Sequence, residues 1–155
     1  MNPEFLEDQN YQENILENQI EDVINEVYEQ SLRHTKGEFK NELKAINIFF
    51  IFLNNVLKNK ESKINHKTKL YDFIEYLKTT IEELKKQKEV LELESMVGLR
   101  SIQNTKPQIE SLIRNIENYE LLLNMLDNDF RNKKLILEDV QEILIQRKKY
   151  IEKFL

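Results

Sequence analysis

The stretch FKNELKAINIFFIFLNNVL, residues 39–57, decides the fold. Phe39, Leu43, Ile46, Phe50, Leu53 and Leu57 recur at steps of four and three, the repeat that lines one face of an α-helix. Ile48, Phe49, Ile51 and Phe52 fill the rest of its middle, so this helix has no polar face there. A helix that is apolar all round belongs inside a bundle. Its most apolar part, Ala45 to Leu57, is about 13 residues long and contains Asn47, Asn54 and Asn55, against the roughly 20 needed to span a bilayer. The sequence therefore predicts a buried central helix with Phe50 in its core.

Outward from this helix the same periodicity persists. Upstream, Leu16, Ile20, Val23 and Val27 share one face and predict a helix from near Asp8 to Arg33. Thr35 followed by Glu38 has the spacing of a capping box, which places a break at 34–36. Downstream, Lys58 to Thr68 (KNKESKINHKT) is polar and aperiodic and reads as the longest loop. The next helix starts near Thr68 or Lys69 and carries Leu70, Ile74, Leu77, Ile81, Leu84, Lys88 and Leu91 in heptad phase. Thr105, Gln108 and Pro107 form a helix-start signature, so that helix should end close to Ile102.

From Pro107 onward Ile109, Leu112, Ile116, Tyr119, Leu123, Leu126, Phe130, Lys133, Leu137, Val140, Leu144, Arg147 and Ile151 hold one phase without a slip. That reads as one continuous helix, roughly 70 Å long at about 1.5 Å per residue, despite the locally unfavourable Asp127, Asn128 and Asp129. The expected fold class is all-α: an elongated helical bundle of four to five helices with long coiled-coil-like C-terminal helices. Residues 1–67 form an N-terminal segment of two helices plus a basic loop, and 68–155 form a long helical hairpin packed with it as one domain.

Composition agrees. The 155 residues include only 2 Gly and 2 Pro, where average usage gives about 18, too few turn formers for a β-sandwich or barrel. Absence of Cys excludes disulfides, thiolate metal sites and a cysteine nucleophile. Glu4, Glu7, Asp8 and Glu13 precede any basic residue, the reverse of a secretory signal, so an intracellular, soluble protein is expected. Charge is unevenly spread: residues 1–35 carry −8 and residues 36–70 carry +5, two segments that attract one another.

The sequence lacks the side-chain spacings on which catalysis in such a bundle would rest. A di-metal site in a bundle uses paired Glu-x-x-His motifs, but His34 follows Ser31 by three and His66 follows Lys63. Gly37 and Gly98 are too far apart for a phosphate loop, and Ser31, Ser62, Ser95, Ser101 and Ser111 lack a Gly-x-Ser-x-Gly setting. The expectation is a non-enzyme with no catalytic residue, metal or cofactor. Two surfaces remain. Leu137, Val140, Leu144 and Ile151 offer an apolar stripe to partner helices, including a second copy of the chain. Lys58, Lys60, Lys63, Lys67 and Lys69 are positioned to contact phosphates of nucleic acid or an anionic membrane, while Arg147, Lys148, Lys149 and Lys153 complement a helix C-terminus. The leading expectation is a helical adaptor or assembly subunit acting through coiled-coil surfaces. The alternative is a helical regulator binding nucleic acid or anionic membrane through the 58–69 loop.

Overall fold

The computed structural model describes residues 19–25, 36–98 and 102–155. It is an all-α bundle. Helix α1 is described over 19–25, followed by α2 (Lys36–Lys58), a short 3-10 turn (Lys60–Ser62), α3 (Leu70–Met96), α4 (Ile102–Phe130) and α5 (Leu137–Glu152). The only extended pairing among the described residues is an isolated antiparallel bridge between Lys69 and Ile136. Leu16, Val27, His34 and the Thr35 cap lie outside the described residues, and of the expected break at 34–36 only Lys36 is described, as the first residue of α2. Val23 of α1 is buried and Ile20 packs against the core.

Helix α2 buries Phe39, Ala45, Ile46, Phe49, Phe52, Leu53 and Val56 against α4 and α5. Phe49 and Phe52 anchor the middle of the bundle. Phe49 meets Phe73 edge-on at 5.7 Å, while Phe52 contacts Phe73, Tyr76 and Tyr119 at 5.6, 6.1 and 5.0 Å between ring centroids. Each such ring contributes roughly 1.5–3 kcal/mol through burial. Phe50 is half-buried and Ile51 is 64% exposed, so the expectation that α2 is enclosed on all sides is corrected. Neighbouring helices cover only an arc of a cylinder; the Ile51 side faces water.

Helices α3 and α4, of 27 and 29 residues, form an antiparallel hairpin of arms about 40 and 44 Å long. Leu70, Leu77 and Ile81 are buried as the heptad reading placed them, with Phe73 beside them. Two boundaries differ from expectation. Helix α3 stops at Met96 because Gly98 turns left-handed at φ +77°, its N–H donating to the Ser95 carbonyl at 3.3 Å, a conformation that costs glycine little. Helix α4 begins at Ile102, about one turn before Thr105, and Pro107 lies inside it with Thr105 buried. The sequence signature had pointed to the correct hairpin but misplaced its corner.

The single 70 Å helix is also corrected. Helix α4 ends at Phe130, Asn132 adopts φ +63°, and the Lys133 N–H donates to the Phe130 carbonyl at 3.0 Å before α5 begins. Asn is among the few non-glycine residues that tolerate this left-handed conformation. The break thus follows Asp127–Asp129 rather than occurring there. Phe130, Leu135, Leu137 and Val140 are all buried, because both sides of the connection feed one core. Periodicity recorded which side faces inward and was silent about continuity.

Candidate functional site

The C-terminal stripe proposed from sequence is occupied inside the chain. Leu137, Val140, Leu144 and Ile151 are at most 1% exposed, so α5 turns this face to the bundle and none of the four is open to a partner. The reason is the break at Asn132, which folds α5 back instead of letting it project.

Arg147 is corrected as well, for it does not stand in solvent at a helix end. Its side chain is 2% exposed and forms a two-pronged ion pair with Glu42 of α2, Nε to Oε1 at 2.7 Å and Nη2 to Oε2 at 2.8 Å. The guanidinium also lies 5.8 Å from the Phe39 ring centroid and 5.2 Å from that of Tyr150. Asp129 of α4 completes the cluster. Burial, reinforced by the negative charge of Glu42 and opposed by Arg147, pushes its carboxyl up to about 7. Position 147 falls in the core phase of α5, and that register was the available sign of its burial.

The five loop lysines, Lys58, Lys60, Lys63, Lys67 and Lys69, are all exposed, as phosphate contacts would require. Their loop is closed by its own hydrogen bonds. Asn59 Oδ1 accepts from the Glu61 N–H at 3.1 Å, Thr68 Oγ1 accepts from the Asn65 N–H at 2.9 Å, and Asn65 Oδ1 accepts from the Lys67 N–H at 2.8 Å. The loop then clasps the α4–α5 connection. The Leu70 N–H donates to Leu135 (2.8 Å), while the Leu137 and Glu138 N–H groups donate to the Thr68 and His66 carbonyls (2.9 and 3.0 Å). The free amides at the start of α5 are thereby satisfied by backbone 69 and 72 residues away in sequence. Gln141 meets His66 Nδ1 at 2.9 Å and Lys67 bonds Glu138 at 2.6 Å. That hydrogen bond raises the Lys67 ammonium above its ordinary pKa and lowers the Glu138 carboxyl.

This clasp brings together cations that sequence reasoning had kept apart. Lys69 lines a hollow of about 380 Å³ with Lys133, Lys134 and Tyr71. A second, of about 470 Å³, shares Tyr71, Lys133 and Lys134 and adds Arg131, Lys78, Glu75 and Asp127. Tyr71 is 70% exposed on their common wall. The run Arg131-Asn132-Lys133-Lys134 was visible in the sequence, but only the break at Asn132 brings it beside Lys69. Lys58, Lys60, Lys63 and Lys67 line neither hollow.

A second surface lies on the outer half of α3. The buried positions of α3 end at Ile81, and beyond them Val90, Leu93, Met96 and Val97 are between 52% and 82% exposed. Among the described residues no three or more His, Cys, Asp or Glu side chains are grouped to hold a metal ion, and no helix is long and apolar enough to cross a membrane. Compared with known proteins, the chain matches no family model, no curated protein and no solved structure.

Proposed function

We propose that the chain is a non-enzymatic helical adaptor or assembly subunit that docks an amphipathic partner helix along the outer half of α3. The observation carrying this reading is the spacing of its exposed apolar side chains. Val90, Leu93 and Met96 stand at i, i+3 and i+6 on one side of α3, the kind of pattern by which one helix seats another, and Val97, capping the helix end, extends the strip. Methionine suits such a surface because its unbranched side chain adapts to different neighbours. Lys86, Glu89 and Glu92 flank the strip and supply the charged rim on which pairing register depends. The hairpin continues about four turns past the last buried residue of α3, so a partner reaches the strip without disturbing the core.

A photo-crosslinking residue at Leu93 tests the proposal in the native cell. One discrete protein adduct is expected, or a dimer of the chain itself, abolished by Val90→Glu with Val97→Glu. The same probe at Ile51, equally exposed but on α2, should not give it. Absence of any adduct at Leu93, or an adduct indifferent to the two glutamates, overturns the assignment.

A further inference from the structure

The two hollows around Tyr71 lie on a surface separate from the α3 strip. We infer that the groove formed by Lys69, Tyr71, Arg131, Lys133 and Lys134 binds single-stranded nucleic acid, with phosphates against the cations and a base against the tyrosine ring. Charge is the first ground. The walls hold five cations, Lys69, Lys78, Arg131, Lys133 and Lys134, against two carboxylates, Glu75 and Asp127, in a chain whose net charge is −5. Lys78 is occupied by Glu75 at 3.5 Å and Asp22 of α1 borders the far side of Lys133 and Lys134. Lys133 is engaged as well, so the charge at the mouth is carried by Lys69, Arg131 and Lys134.

Shape and aromaticity select the ligand. Hollows of about 380 and 470 Å³ are of the size that encloses one small organic ligand each, which matches successive nucleotides. The ring between them is 70% exposed, and a tyrosine so placed loses contact with water at little cost when a base stacks on it. Duplex bases are already stacked on one another and cannot use such a ring, so the strand must be single. An anionic bilayer offers no base and is a flat surface, a poor fit to two concave pockets. The cations sit on a rigid frame, because the backbone bonds joining Leu70 to Leu135 and Leu137 to Thr68 lock the two walls together. Preorganisation of this kind lowers the cost of binding.

The test is fluorescence anisotropy of the full chain with a labelled oligouridine or oligothymidine of about 12 nucleotides. Three phosphate contacts on a single strand predict that affinity falls roughly 20-fold between about 50 and 200 mM salt. Tyr71→Ala should weaken binding about tenfold at fixed salt. Arg131→Ala with Lys134→Ala should reduce the logarithmic salt slope by about 1.4, whereas Lys60→Ala with Lys63→Ala should leave affinity unchanged. All of these side chains are exposed, and circular dichroism confirms that each variant keeps its helices. The inference is overturned by absence of binding at low salt, by a Tyr71→Ala variant of unchanged affinity, by equal losses from Lys60 and Lys63, or by binding to phosphatidylserine vesicles without binding to the oligonucleotide.

Discussion

Removing the guanidinium of Arg147 tests the polar centre of the bundle. In the folded chain it pairs with Glu42 through two bonds of 2.7 and 2.8 Å, with side chains 2% and 12% exposed. Arg147→Met keeps the apolar stem that packs between Phe39 and Tyr150 but takes both guanidinium bonds from the Glu42 carboxyl, whose side chain is 12% exposed. Stranding one member of a buried pair costs about 3–5 kcal/mol, a large part of the 5–15 kcal/mol that holds a domain of this kind together. Replacing both partners, Arg147→Met with Glu42→Leu, removes the stranded charge and should restore most of the loss, because an apolar pair of similar volume needs no desolvation. Urea unfolding followed by far-UV circular dichroism gives the four free energies of the cycle. A loss in the single Arg147→Met variant below about 0.5 kcal/mol, or a double variant equal to the sum of the singles, would refute the reasoning.

The remaining predictions use the same assay or its thermal counterpart. Asp129 is held protonated up to about 7 in the folded chain but ionises near 3.8 when unfolded, so the folded state binds more protons between those values. Stability should fall as pH rises through that window, by at most about 4 kcal/mol; Asp129→Asn should flatten the profile and be most stabilising above pH 7, and an unchanged slope contradicts the assignment. Leu137→Glu with Leu144→Glu should unfold the chain rather than dissociate a complex, since both side chains are at most 1% exposed; a folded double variant in circular dichroism contradicts their placement. Gly98→Ala meets no atom within 4 Å but must hold φ +77°, so it should cost about 1–2 kcal/mol in urea unfolding without steric disruption.

Helical class, the inward faces of α2, α3 and α5 and the hairpin of α3 with α4 were determined by the sequence alone. They follow from the spacing of Phe39, Ile46 and Leu53, of Leu70, Leu77 and Ile81, and of Leu137, Leu144 and Ile151, because a helix must turn such a stripe away from water. Spacing says which side of a helix is covered, and nothing about what covers it. Leu137 and Leu144 therefore looked like a docking stripe until the left-handed Asn132 folded α5 home, and nothing in the heptad phase of α3 marked Val90 and Leu93, which are left exposed beyond its last buried residue, Ile81. Tertiary structure alone decided the charged features: Arg147 against Glu42, 105 residues apart, and Lys69 beside Lys133 and Lys134 across the clasp. Electrostatic partners are chosen by distance in space, and a periodic pattern along one helix carries no record of the charge on the next.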